Sequence, residues 1–222
     1  MVSTTSGPAP RKYDSSRRRA DAQARQRRII DAATALFVEQ GFGATSIDQI
    51  ASAADVSSPT VYASFGSKAG VLARAIDVAT VGDYDDIPLV GRVMGRVEKS
   101  GGQELRQFAA AAAFVRTLNE RVAPLMRVME QAAATDPALL ELRSSMFGAI
   151  RADCAAMVEK FWRTALRPGL SEAQAADEVA VMVSPYVYST FTVDMGWSPD
   201  RYQQWLAHAL PHLLLRPELL RE

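Results

Sequence analysis

The chain has 222 residues and a mass of 24.1 kDa, room for one large or two small domains and too little for three. Its 25 Lys and Arg balance 25 Asp and Glu, and that neutrality taken alone points away from a polyanionic partner. The single cysteine, Cys154, excludes an intramolecular disulfide or a multi-cysteine zinc site and agrees with a reducing, intracellular setting, while the longest uncharged stretch, Val179–Val193, is too short for a membrane span and is interrupted by Ser184 and Pro185.

The charge is unevenly spread. Residues 1–80 carry 10 basic and 7 acidic side chains, residues 81–222 carry 15 and 18, and residues 1–28 alone carry eight basic to two acidic. Because salt screens distant charges within ~10 Å, a polyanion feels the local basic cluster rather than the total.

Residues 1–16 are rich in Ser, Thr, Pro and Gly without the apolar core of a secretory signal, and are expected to form a disordered tail. Over 17–40 the apolar residues Ile29, Ile30, Ala33, Leu36 and Phe37 recur at spacings of three and four, which predicts a helix with one buried stripe, ended by Gly41. Three short segments follow, each opened by a hydroxyl residue. Thr45-Ser-Ile-Asp48 fits a capping box with Asp in place of Glu, Ser57-Ser-Pro-Thr60 puts Pro59 in a first turn, and Ser67-Lys68 starts a helix running to about Thr80.

Residues 81–102, with Gly82, Asp83, Asp85, Asp86, Pro88, Gly101 and Gly102, read as a linker holding at most one short helix around Val90–Val97. Beyond it the pattern is helical throughout. One stripe runs Leu105, Phe108, Ala109, Ala112, Val115 and another Val122, Leu125, Met126, Met129. Asp136-Pro137 opens a long helix with Leu139, Met146, Ile150, Met157 and Phe161 on one side, stopped by Pro168-Gly169. Ser171 starts the next, and Ser198-Pro199-Asp200 caps the last, whose stripe is Tyr202, Trp205, Leu206, Ala209, Leu210 and Leu213. No strand-like alternation and no repeat is seen, so the fold expected is all-α in two parts.

Residues 45–72 read TSIDQIASAADVSSPTVYASFGSKAGVL. Ile47, Ile50 and Ala51 face inward on one short helix, Val61 and Phe65 on the next, and Val56 plugs the turn between them. The two helices cross closely at the small Ala51, and the reversal at Ala54-Asp55-Val56 needs a left-handed residue, which Asp tolerates better than most. This is the pattern of a helix-turn-helix whose second helix enters the DNA major groove.

These residues resemble the DNA-binding segment of the TetR/AcrR family of bacterial transcriptional regulators. Gly41, Phe42, Thr45, Ser46, Ile47, Ile50, Ala51, Ala54, Val56, Ser57, Thr60, Val61, Tyr62, Phe65, Ser67, Lys68 and Leu72 all fall in that family's register, while Asp55 stands where glycine is usual. The resemblance covers about residues 28–72. It implies an N-terminal three-helix DNA-binding domain over 17–66 and a C-terminal helical regulatory and dimerisation domain over 67–222, with 67–80 as connecting helix. It also implies that Thr45, Ser46, Tyr62 and Lys68 meet phosphates while Ser57, Ser58, Pro59 and Thr60 face base edges; Arg27 is placed with them in the DNA-binding set.

Residue chemistry bears on this in two places. Lys68 sits at a helix N-terminus, where the dipole disfavours a cation unless an anion is bound. The recognition helix, Ser57 to Phe65, holds no Arg, Lys, Asn or Gln, so bidentate base contacts are unavailable and specificity must come from hydroxyls, methyl contacts, groove shape and residues outside it. Arg17, Arg18, Arg19, Arg25, Arg27 and Arg28 then form either an arm tracking phosphates or the minor groove, or a solvated tail adding non-specific attraction.

No catalytic constellation is present: Gly66-Ser67-Lys68 lacks the upstream glycine and strand of a phosphate loop, and no metal or cofactor is expected. His208 and His212, one turn apart, lack an evident third ligand and read as interface or surface residues. In the C-terminal part, Phe108, Met126, Met129, Phe147, Met157, Phe161 and Tyr186 suit either core or the lining of an apolar effector pocket, with Arg116 among the polar groups that orient a ligand or simply charge the surface. The expected protein is a cytoplasmic, bacterial, ligand-responsive regulator. It would act as a repressor on a palindromic operator, released by a small apolar or amphipathic effector. It would be a homodimer through the helices over about 171–194 and 198–215, burying the Val179–Val193 face. An activator of the same fold, a helical enzyme, or a protein-contact module with a degenerate helix-turn-helix are the alternatives.

Overall fold

The computed structural model describes residues 15–82 and 89–220. The tail expected over residues 1–16 lies outside them up to residue 14, while residues 15 and 16 already belong to the first helix. The described chain is helical and contains no strand; its one isolated bridge joins Leu166 to Leu215.

Helix α1 (Ser15–Ala44) buries Ile29, Ile30, Ala33 and Phe37 on the predicted stripe. It is interrupted at Gly41, whose φ of 81° and ψ of 168° no β-carbon-bearing residue adopts cheaply, so the expected stop is a sharp kink followed by one more turn. Helix α2 (Ile47–Ala53), α3 (Ser58–Phe65) and α4 (Lys68–Val81) follow as predicted, though the capping box sits one residue later than expected. Ser46 is the N-cap, its hydroxyl accepts from the Gln49 N–H at 3.1 Å, and the Gln49 side chain accepts from the Ser46 N–H at 2.7 Å. Thr45 is turned into the protein instead.

Helix α5 (Leu89–Lys99) is the short linker helix. The two stripes predicted around residues 105–115 and 122–129 belong to one 30-residue helix, α6 (Glu104–Ala133), which continues through Pro124. This helix is the spine of the molecule. Its first half packs Phe108, Ala112 and Val115 into a core shared with Trp162, Val179, Tyr202 and Leu206. Its second half packs Val122, Leu125, Val128 and Met129 into the core of α1–α4, joined there by Leu139. Helix α7 (Pro137–Met157), capped by Asp136, continues into a widened π turn (Val158–Trp162) that brings Trp162 onto Phe108 with ring centroids 4.2 Å apart.

The segment expected as one helix over 171–194 is broken into α8 (Glu172–Met182) and α9 (Pro185–Ser189), the latter running into a second π turn (Thr190–Asp194). Pro185 has no N–H to offer the Val181 carbonyl. Three successive carbonyls find other donors: the Ser184 hydroxyl for Val181 at 2.8 Å, the Tyr202 hydroxyl for Met182 at 3.0 Å, and the Asn119 amide for Val183 at 3.0 Å. Asn119 and Tyr202 are fully buried, so α6 and the last helix, α10 (Pro199–Leu214), both reach in to complete the break. Among the described residues no helix is long and apolar enough to cross a membrane, and no group of three or more His, Cys, Asp or Glu has the spacing to hold a metal ion.

Candidate nucleic-acid interface

The turn between α2 and α3 is fixed by backbone bonds that require its shape. The Val56 N–H reaches the Ala51 carbonyl at 3.0 Å and the Asp55 N–H the Ser52 carbonyl at 3.2 Å, closing α2 in a Schellman arrangement with Asp55 at φ 54°. It is the single non-glycine residue of positive φ among those described, at the position where the left-handed residue was expected. Ala51 and Val61 are buried at the crossing, and Val56 and Phe65 pack against the same core. After α3 the chain turns so tightly that a β-carbon on Gly70 would meet the Phe65 carbonyl oxygen at 2.1 Å, which only a glycine avoids.

The N-terminal end of α3 faces solvent. Ser57 and Pro59 are exposed, Ser58 and Thr60 partly so, and Tyr62 is 53% exposed. The hydroxyls are already organised: Ser57 Oγ and Thr60 Oγ1 bond each other at 2.8 Å, and Ser58 donates to Oδ1 of Asp48 on α2. In sequence Asp48 reads only as the acid of a capping box with Thr45, because nothing in the spacing of Asp48 and Ser58 announces that α2 and α3 bring them together. Ser46 is exposed beside them as the α2 cap, and Arg27 lies exposed on α1.

Two of the residues expected at phosphates are engaged within the chain. Thr45 is 1% exposed, and its hydroxyl donates to the backbone at the α1 kink, 2.8 Å from the Gly41 carbonyl and 3.3 Å from that of Leu36. That side chain ties the kink down and is not available to a phosphate. The Lys68 ammonium donates to the carbonyls of Phe42 and Thr45 at 2.6 and 2.8 Å and lies 4.2 Å from the centre of the Phe42 ring. Burial lowers its pKa from the ordinary lysine value, opposed by the field of Asp136. The cation at a helix N-terminus is therefore matched by the carbonyls at the end of α1, and a bound phosphate is not required to explain it.

The basic residues 17–28 are correspondingly not an extended arm, because the described part of the chain is helical from Ser15. Arg18, Arg19, Arg25 and Arg27 are exposed along α1, and Arg28 donates to the Ala54 carbonyl at 3.2 Å, bracing the turn itself.

Of the residues offered as a ligand pocket, Met126 and Tyr186 line one small cleft of about 240 Å³ together with Arg127 and Glu130, and the others lie elsewhere. Phe108 and Met157 are buried in the body core with Phe161 packed against it, Met129 is buried in the head core with Met126 beside it, and Phe147 and Tyr186 are exposed. Arg116 is held by Glu120 at 3.3 Å and Asp200 at 3.1 Å. Composition cannot separate filled core from cavity lining, and here the aromatic and Met side chains fill the core. A cleft of about 680 Å³ opens elsewhere, between the end of α1 (Phe37–Gly41), the middle of α6 (Glu120–Gln131) and the Tyr188–Val193 segment. Each wall carries a helix irregularity: the Gly41 kink, Pro124 and the second π turn. His208 and His212 are exposed, with the His212 ring nitrogen 2.8 Å from the His208 carbonyl.

Residues 29–75 match the family model described as bacterial regulatory proteins, tetR family. Among curated proteins none matches the chain in sequence. Solved structures share the fold over about nine tenths of the chain. NalD, the secondary repressor of the MexAB-OprM multidrug efflux pump in Pseudomonas aeruginosa, superposes with a TM-score of 0.68 at 21% identity, covering 89% of this chain and 99% of its own. SmeT, the repressor of the SmeDEF multidrug efflux pump of Stenotrophomonas maltophilia, gives 0.64 at 18% identity over 91% and 98%. SmeT in complex with triclosan gives 0.65 at 20% identity over 90% and 98%. The helix-turn-helix segment is thus similar to that of the tetR family of bacterial regulatory proteins, and the fold over about nine tenths of the chain is one shared with solved repressors such as NalD and SmeT.

Proposed function

We infer that the protein is a repressor that binds a palindromic operator as a homodimer and is released by a small apolar or amphipathic effector. The observation that carries this reading is the solvent-facing N-terminal end of α3, its hydroxyls pre-bonded and its backbone braced from three sides by the Schellman turn, the Arg28 bond and the Lys68 clamp. In a helix-turn-helix this is the end that reads base edges, and the exposed Tyr62 and Ser46 would meet phosphates beside it. Two heads about one DNA turn apart (~34 Å) are needed to read enough bases, which gives the dimer its purpose.

The surface left for a second copy is on α8, α9 and the turn after them, where Val181, Tyr186, Val193 and Met195 are each more than half exposed. The Val179–Val193 face is divided in this role: Val179, Ala180, Ser184, Pro185, Tyr188 and Ser189 are buried within the chain, Val181, Tyr186 and Val193 are exposed, and the rest are partly buried. For the effector, the cleft between head and body is the better seat than the residues first considered. Its volume of about 680 Å³ lies in the range of small-molecule sites, and its α1 wall leads directly into the clamped Phe42–Thr45 segment. The repressor sense is supported by NalD and SmeT, both repressors, and binding of a small molecule by the SmeT–triclosan complex.

The test is selection of bound genomic DNA followed by gel shift and a solution mass. The reading expects a palindromic motif, a salt-dependent shift and a mass of twice 24.1 kDa. A stable monomer, or a shift indifferent to salt, overturns it. Gln131→Trp, which fills the cleft from an exposed position, should leave the operator shift intact and blunt its reversal by triclosan.

A further inference from the structure

We propose that Asp48 and Ser58 form one base-reading unit that selects an exocyclic amine, the N4 group of cytosine or the N6 group of adenine, in the major groove. The proposal rests on the operator-binding reading above, which puts the N-terminal end of α3 against base edges. Ser58 is the first residue of α3, and its hydroxyl donates to Oδ1 of Asp48 in the first turn of α2. A serine hydroxyl has one proton. Spent on Asp48, it leaves Ser58 with lone pairs alone, and an ionised carboxylate is likewise an acceptor only. The pair therefore presents nothing but acceptors to the groove.

The bases divide cleanly against such a surface. Adenine and cytosine each carry an amine donor on the major-groove edge, whereas guanine offers N7 and O6 and thymine offers O4, all acceptors. An acceptor-only pair meets a partner on A or C and a repulsion on G or T. The charge sharpens the effect. Among the described residues no ion pair neutralises Asp48, so its carboxylate enters the field of the phosphates uncompensated unless a base amine bonds it. Asp48 thus penalises every DNA site that lacks the amine, which is how a recognition helix without Arg, Lys, Asn or Gln can still discriminate. A carboxylate in the first turn of α2 also suits the helix dipole, but that role would show in stability alone and not in base preference.

The experiment is selection of bound DNA from a random library by the full-length chain and by Asp48→Asn, Asp48→Ala and Ser58→Ala, each checked by thermal melting. The wild-type motif should hold C or A at one position in each half-site. Ser58→Ala and Asp48→Ala should relax that position alone by about 3- to 10-fold. Asp48→Asn, isosteric and able to donate, should admit G or T there and keeps the test open if Asp48→Ala folds poorly. Asp48→Ala should also bind unselected DNA a few-fold more tightly, as loss of a negative charge facing phosphates requires, and the change of base preference is what separates base reading from a structural role. An unchanged motif in all three variants, or an even loss at every position, overturns the proposal and leaves the regulator reading standing. Failure of the wild-type chain to select any motif overturns both.

Discussion

Replacing Lys68 with Met separates a clamp from a phosphate contact. The substitution keeps an apolar stem beside Phe42 and removes the ammonium that bonds the Phe42 and Thr45 carbonyls at 2.6 and 2.8 Å. Two charge-assisted bonds at ~1.5–3 kcal/mol each would bound the loss near ~6 kcal/mol. The site is only partly buried, water can rebond the carbonyls, and the ammonium already bears a desolvation cost, so the expected loss is ~1–3 kcal/mol. In a domain of this size ~2 kcal/mol lowers Tm by roughly 4–8 °C. Urea unfolding should show a reduced midpoint at unchanged m-value, and the dependence of operator affinity on salt should keep its slope. If Lys68 instead neutralised a phosphate, the midpoint would stay and the log–log salt slope would shrink by about 0.9. That result would refute the clamp.

Asp55→Gly should stabilise the α2–α3 turn by about 0.5–1 kcal/mol, since Asp55 holds φ 54° with a side chain that glycine lacks, whereas Asp55→Val should destabilise it by more; urea midpoints of the two variants check the order. Tyr202→Phe removes the donor to the buried Met182 carbonyl and should cost ~1–3 kcal/mol in the same assay. Stability should fall as pH rises from about 9. Burial pushes the Cys154 thiol up to about 12, so the unfolded thiol loses its proton before the folded one, and the stability present below the unfolded pKa is lost through the folded pKa. Denaturant midpoints from pH 8 to 10.5 in wild type and Cys154→Ala check this, the variant showing the shallower decline. Thiol-directed alkylation of native protein at pH 8 should be slow and should accelerate on unfolding.

Much of the head is readable from residues near each other in sequence. The left-handed turn at Asp55, Pro59 in the first turn of α3 and the Ser67 cap of α4 are all local chemistry, and they lie where that chemistry puts them. Thr45 and Ser46 compete for one cap, and the outcome is decided by Gln49, which suits Ser46, together with the burial of Thr45 against the α1 kink. The cation at Lys68 shows where local reasoning ends. A lysine at a helix N-terminus does call for acceptors, but those acceptors are carbonyls 23 and 26 residues earlier, a tertiary fact. The same holds for Asp48 and Ser58 and for Arg28 and Ala54, pairs made by helix crossing. Several of the pocket residues lie in core for a different reason: stacking of Phe108 on Trp162 and burial of Met129 satisfy the composition of a pocket by filling a core.

The break at Ser184-Pro185 also constrains how this protein can change. Straightening the helix by Pro185→Ala would give the Val181 carbonyl back a helical donor, yet Asn119 and Tyr202 would then sit buried with their acceptors reclaimed. Replacing either of them first leaves a carbonyl at the break unserved. Each single step is uphill although the end point, a straight helix beside Leu and Phe, need not be, so three residues on three helices must be exchanged together. The bend is therefore held less by its proline than by mutational lock-in, and descendants of this sequence are expected to keep or lose the trio as a unit.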